Sequence, residues 1–181
     1  KLFSEGRLSP DDPVSKFLPQ FSSPLVALGG SYDSQLEPVR SPMLISHLLT
    51  HTSGLTYSSD ITGVGDIARA YKDLKILTLD SNVQTDLGTL EAHLNQLAEL
   101  PLISHPGDEF NYSVSYDLLS AIIEKVVEEP FDKYMVREIF EPLGMTNSYF
   151  LIPDEKLETL STLYAPLIRT FQIPGTPRMY Q

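Results

Sequence analysis

The chain has 181 residues, enough for one domain or one lobe of a larger one, and its 41% hydrophobic and 20% charged residues are ordinary for a globular protein. A net charge of −11 argues against nucleic acid and anionic membranes as partners, and the absence of cysteine excludes disulfides, a thiol nucleophile and cysteine-ligated zinc. No apolar run approaches the ~20 residues of a membrane-spanning helix.

In chain order, Leu2-Phe3 followed by Glu5-Gly6-Arg7 reads as the last turn of a helix closed by Gly6. A helix tail in this place leads us to expect an N-terminal part outside these residues, where any targeting segment would lie. Pro10 and Pro19 bracket a short helical turn with Asp12 as its cap and Pro13 at its first position. Residues 20–35 read as loop, marked by Gly29-Gly30 and Asp33-Ser34, with one brief strand at Leu25-Val26-Ala27-Leu28. Pro38 and Pro42 keep residues 37–40 extended. From Ser41 the pattern turns helical: a capping serine, Pro42 at the first position, apolar residues at 44, 45, 48 and 49, and Gly54 as terminator. Apolar spacing predicts two further helices over 66–77 and 86–100, joined by a polar connection at 78–83.

The next stretch, residues 105–127, organises the chain. Pro106-Gly107 is a turn signal; a helix then runs from Ser113 to the breaker Glu128-Glu129-Pro130, with apolar residues at 118, 119, 122, 123, 126 and 127 on one broad face. Ser113 or Ser115 can cap it, and Asp117 suits the positive end of its dipole. Tyr112 therefore stands where unpaired backbone N–H groups favour a phenolate. The alternative is a structural tyrosine whose hydroxyl is simply hydrogen-bonded. Phe131, Tyr134, Met135, Ile139 and Phe140 predict another helix, at mixed spacings of three, four and five, halted by Pro142-Leu143-Gly144. A short strand at Tyr149-Phe150-Leu151-Ile152, a helical turn at 154–160 and an extended, proline-rich run from Thr162 complete a mostly α reading with five or six helices and few strands.

Few residues carry chemistry. Gly-x-Ser-x-Gly, Ser-x-x-Lys and Lys-Thr-Gly are absent, and His105-Pro106-Gly107 reads as a loop. The four histidines are scattered. His47 and His51 are four apart, but no glutamate lies between them and no third ligand is near, so they read as helix-end packing and backbone capping. His51 and Ser53 are too close in one turn, with no orienting acid, for nucleophilic catalysis. Asp11-Asp12 and Glu128-Glu129 read as solvated turn residues. A free phenol titrates near about 10, so Tyr112 would need a nearby cation to act as a base, and none is identifiable in the sequence.

Several segments, in order, resemble the serine β-lactamase-like superfamily, in particular the class C β-lactamase-like esterases (family VIII carboxylesterases). They are Glu5-Gly6-Arg7-Leu8-Ser9-Pro10-Asp11-Asp12-Pro13-Val14 with Phe17-Leu18-Pro19; Ile45-Ser46-His47-Leu48-Leu49-Thr50-His51-Thr52-Ser53-Gly54-Leu55; Pro106-Gly107, Phe110, Tyr112-Ser113, Asp117 and Ile122-Ile123-Glu124; Pro142-Leu143-Gly144-Met145-Thr146; and Leu163-Tyr164. The resemblance covers almost the whole chain. It implies one domain over residues 1–181, incomplete: the helical lobe of a β-lactamase/transpeptidase-like α+β fold, with most of the α/β lobe missing. It also implies an acyl-enzyme mechanism without cofactor or metal, in which a Ser-x-x-Lys serine attacks an ester or amide carbonyl and a tyrosine shares the proton traffic with the lysine. Tyr112 matches that tyrosine, and Tyr57 matches an aromatic position lining the acyl pocket. β-Lactamases proper carry Tyr-x-Asn; Val114 at the third position points to the esterase side. The Ser-x-x-Lys helix would fall before Lys1 and the Lys-Thr-Gly or His-x-Gly strand beyond Gln181, so the 181-residue chain by itself is expected to be inactive. The alternatives are a non-catalytic β-lactamase-like lobe used for binding or assembly, and an acyltransferase or peptidase of the same fold. The expected partners are a small ester or amide substrate and, for an uncovered lobe, self-association or the remainder of the fold.

Overall fold

A computed structural model describes residues 1–31, 33–58, 65–74 and 90–161. Contacts divide the chain into two compact units, Lys1–Met145 and Thr146–Gln181. Five α-helices and two strands occur among the described residues: β1 (Leu25–Ala27), β2 (Leu36–Pro38), α1 (Ile45–Leu49), α2 (Asp66–Asp73), α3 (Leu90–Ala98), α4 (Ser115–Val127) and α5 (Phe131–Met135).

The first unit opens as the sequence predicts. Gly6 takes a left-handed φ of 68°, and Arg7 N–H and Gly6 N–H donate to the Leu2 and Phe3 carbonyls at 3.0 and 3.1 Å. That pair of bonds is a Schellman closure. Asp12 does not cap the short 3-10 turn at Val14–Lys16; its carboxylate accepts from Ser9 N–H and from Lys16 Nζ instead. β1 pairs antiparallel with β2, Val26 opposite Glu37. Its other edge takes a single parallel bridge to Leu102, where Ala27 N–H donates to the Leu102 carbonyl at 2.7 Å.

Helix α1 starts at Ile45, not at Pro42 as Ser41-Pro42 suggested. Met43 and Leu44 are held extended because Val14 N–H donates to the Met43 carbonyl and Ile45 N–H to the Asp12 carbonyl. The cap comes from within: Leu44 N–H donates to His47 Nδ1 at 3.2 Å. Ile45 and Leu48 are fully buried against α4, each worth about 1.5–3 kcal/mol. Leu49, expected inside, is exposed.

Helix α4 begins at Ser115, two residues later than predicted. Its Leu118 and Ile122 are fully buried, while Leu119 and Ile123 form a second stripe. That stripe joins Leu2, Leu8, Leu49 and Ile139 in an open apolar cleft of about 290 Å³. Helices α2 and α3 lie where periodicity placed them; residues 75–89, which include the ends expected for both, lie outside the described residues. The spacing of five after α5 is realised as a π turn at Val136–Phe140, closed by Glu141 N–H on the Val136 carbonyl at 2.9 Å.

In the second unit the strand expected at 149–152 is absent: these residues form a bend, and Tyr149 Oη donates to the Thr146 carbonyl. The helical turn is present as a 3-10 segment, Asp154–Thr159. The run from Thr162 lies outside the described residues.

Gly54 has the closest approach of the glycines described. A Cβ there would stand 2.2 Å from the Ser104 carbonyl oxygen, at a φ of 83°. At Gly6, also left-handed, a Cβ would meet nothing within 4 Å. Urea unfolding should therefore separate the two: Gly6→Ala costs about 1 kcal/mol, the conformational penalty alone, whereas Gly54→Ala costs about 3 kcal/mol or more. Equal losses would contradict the close approach.

Candidate functional site

The site is built where α1 ends. His51, not Gly54, terminates the helix: it adopts a left-handed φ of 54°, with Thr52 N–H on the His47 carbonyl at 2.8 Å and His51 N–H on the Leu48 carbonyl at 3.3 Å. Glycine is the usual residue for such a closure. Residues 51–56 then dock on the segment leading to α4. Gly107 N–H donates to the Thr52 carbonyl at 2.7 Å, Asn111 N–H to the His51 carbonyl at 2.8 Å, and Asn111 Nδ2 to the Leu55 carbonyl at 2.6 Å.

This docking brings together the two tyrosines singled out from the sequence. The rings of Tyr57 and Tyr112 lie 5.1 Å apart, tilted by 45°. Tyr112 is 54% exposed, and Tyr57 is half-buried. The His51 ring lies 4.8 Å from those of both Tyr112 and Tyr116, with Phe110 edge-on at 6.1 Å.

Ser113 and Ser115 do not cap α4. The N-cap position is the buried Val114, and no side chain caps the helix there. The serine hydroxyls form a buried chain instead. Ser53 Oγ and Ser113 Oγ each lie 2.8 Å from Ser115 Oγ, and Ser113 Oγ lies 3.3 Å from His51 Nδ1. Ser113 N–H also donates to His51 Nδ1 at 3.2 Å. Ser53 is fully buried with its hydroxyl engaged, which removes it as a nucleophile. His105 is buried in its loop, with Nε2 2.7 Å from Glu37 Oε1. His47 spends its Nδ1 on Leu44 N–H.

Burial holds His47, His51 and His93 below the ordinary imidazole value, and Asp117 partly opposes the effect on His93. Burial pushes Asp117 up, against the pull of its own backbone N–H and of His93. Tyr57 is pushed up to about 12 by burial, then by the charge and hydrogen bond of Tyr112 and the charge of Asp117. Tyr57 is thus a neutral hydrogen-bond donor beside the exposed Tyr112. Neither tyrosine lines the apolar cleft or a second open cleft of about 540 Å³ that Phe17, Leu90 and Glu91, among others, border.

A family model described as Beta-lactamase matches residues 1–180. The chain belongs to the beta-lactamase family. It is 32% identical over 165 residues to Protein Rv1367c of Mycobacterium tuberculosis (strain ATCC 25618 / H37Rv), covering 90% of this chain and 38% of that protein. It is 33% identical over 151 residues to Esterase EstB of Burkholderia gladioli, covering 83% of this chain and 34% of that protein. Among solved structures it is similar to EstCE1, a hydrolase with promiscuous acyltransferase activity: 34% identity, a TM-score of 0.63, 86% of this chain and 36% of that one. The chain thus spans about a third of the length of these relatives. Among the described residues, the mostly helical architecture with two strands is consistent with a partial lobe of the β-lactamase-like fold.

The lowered histidines set a pH dependence. The unfolded chain takes up their protons first, so stability is full above the ordinary value of 6.5 and declines as pH falls through it toward the lowered folded values. Asp117 acts oppositely, gaining stability as pH falls through its raised value toward 3.8. The urea midpoint should therefore drop between about pH 7.5 and about pH 5.5; a midpoint rising over that interval would contradict the buried neutral imidazoles.

Proposed function

We propose that this chain is the tyrosine-bearing lobe of a serine hydrolase that cleaves short-chain carboxylic esters through an acyl-enzyme. The observation that carries the reading is Tyr112: its ring is packed on His51 and Tyr57 while the residue stays 54% exposed, a phenol held in place with access to substrate. The order of motifs around it and the likeness to an esterase support the same assignment. Tyr112 would take the proton as a serine oxygen attacks the ester carbonyl, and would return it to the departing alkoxide as the C–O bond breaks. Water then attacks the acyl group by the reverse traffic. Tyr57 would line the acyl side as a neutral donor.

The serine, and the cation that a tyrosine base needs, have no counterpart in a Ser-x-x-Lys motif within these residues. We assign them to sequence upstream in the same gene product, roughly one to two helix lengths before Lys1, which a reading of the gene within about 40 residues of Lys1 checks directly. Acyl transfer to an alcohol is the second reading, favoured by the description of EstCE1, and shares every step except the final acceptor.

In the intact gene product, Tyr112→Phe should lower kcat on 4-nitrophenyl butyrate by roughly 10²–10⁴-fold, the size of a lost proton-transfer group. An unchanged rate would sink the role given to Tyr112. Added butanol should divert part of the acyl group to butyl butyrate if transfer is the physiological reaction.

A further inference from the structure

The residues on either side of Tyr112 are tied to one residue. Asn111 N–H donates to the His51 carbonyl at 2.8 Å, and Ser113 N–H donates to His51 Nδ1 at 3.2 Å. The His51 ring also packs on the Tyr112 ring, with centroids 4.8 Å apart. His51 thus holds the residue before Tyr112, the residue after it, and the Tyr112 ring itself.

The protonation state follows from the hydrogen-bond network. Leu55 N–H donates to Ser53 Oγ at 3.3 Å, so Ser53 is free to donate onward to Ser115, Ser115 to Ser113, and Ser113 to His51 Nδ1. Every donor in that chain finds an acceptor only if Nδ1 carries no proton. Burial, which disfavours the imidazolium, agrees. The left-handed φ of 54° at His51 is a third sign. Glycine would close α1 without the roughly 1 kcal/mol penalty that a side chain pays there. A side chain kept at a strained position points to a task beyond ending the helix.

We propose that His51 is a positioning residue for Tyr112, its carbonyl and Nδ1 fixing the backbone on both sides and its ring fixing the phenol's tilt. The proposal rests on the reading of Tyr112 as the proton-transfer group. His51 touches no reacting atom in it; it sets where the Tyr112 hydroxyl points. A misplacement of about 1 Å in such a group costs on the order of 10²-fold in rate.

The test is a double-mutant cycle in the intact gene product, with hydrolysis of 4-nitrophenyl butyrate as the readout. His51→Phe keeps a ring and loses the acceptor. His51→Asn tolerates the left-handed backbone and offers Oδ1 to Ser113 N–H, but loses the ring. Each is expected to lower kcat, roughly 10- to 100-fold for His51→Phe and less for His51→Asn, with KM within about two-fold of the parent. In a Tyr112→Phe background the same substitutions should change kcat by less than about two-fold, because nothing remains to be aimed. Amide exchange at Ser113 should speed up in His51→Phe and stay slow in His51→Asn. Additive losses in the two backgrounds, or a rise in KM at constant kcat, would overturn the positioning role while leaving Tyr112 catalytic. Should His51→Phe not fold, the Asn arm and its cycle decide alone. If Tyr112→Phe itself is as fast as the parent, the reading of Tyr112 fails, and the positioning role with it.

Discussion

Residues 51–56 are laced to residues 103–114 by hydrogen bonds that leave little freedom in either segment. Ile103 N–H reaches the Gly54 carbonyl at 2.8 Å, Gly107 N–H the Thr52 carbonyl at 2.7 Å, and Asn111 N–H the His51 carbonyl at 2.8 Å. The lacing works only because Gly54 has no side chain, since the Ser104 carbonyl oxygen occupies the space a Cβ would need. Both flanks of the site follow from it. On one side the end of α1 is turned toward the tyrosines; on the other the start of α4 is placed so that Leu118 and Ile122 complete the core above Ile45 and Leu48. Without the docking, Tyr112 would be a loop tyrosine with no defined neighbours.

Polar groups make this contact specific. Ser53, Ser113 and Ser115 are all but fully removed from solvent, and a hydroxyl buried without a partner costs about 1–3 kcal/mol. Here each hydroxyl satisfies the next, and the chain ends on His51 Nδ1. A slip of one residue between the segments would strand several of them at once. An apolar contact of similar area would tolerate such a slip more easily. The cost falls on α4, whose first turn receives no side-chain cap. Its 13 residues and buried apolar face carry the helix instead.

What could be read from the sequence divides along the same line. Helices α2, α3 and α4 announce themselves because their apolar residues repeat at helical spacing, and Gly6 closes its turn with local bonds only. The π turn after α5 was foreshadowed by a spacing of five between Met135 and Phe140. The expectations that failed depended on partners distant in sequence. Ser41-Pro42 has the form of a helix start, but residues 10–14 take up backbone groups of Met43, Ile45 and Ser46. Ser113 and Ser115 looked like caps until Ser53 and His51 claimed their hydroxyls. Gly54 looked like a helix stop because glycine usually is one, yet its need is steric, and His51 takes the left-handed position. Tyr112 was legible as a residue presented at a turn before a helix. Its link to His51 was not, for local rules say nothing about a histidine some sixty positions upstream. The available signal was thin: Ser53 two positions before Leu55, and Ser113 and Ser115 on either side of Val114.

The tyrosine pair bears on which oxygen can carry charge. Tyr57 is pushed up to about 12, by burial first and by Tyr112 second, so near neutral pH it keeps its proton. Two phenolates with rings 5.1 Å apart would repel each other. Tyr57 therefore enters any chemistry at this place as a donor. Such a donor can give a hydrogen bond to the Tyr112 oxygen but supplies no positive charge of its own. A helix start offers at most a fraction of an elementary charge. The lobe thus orients the phenol, desolvates one side of it and gives it a hydrogen-bond partner. A full positive charge is the remaining requirement for a tyrosine base; in the proposed mechanism that charge would be the lysine of a Ser-x-x-Lys motif, and orientation and activation of the phenol would then reside in different parts of the protein.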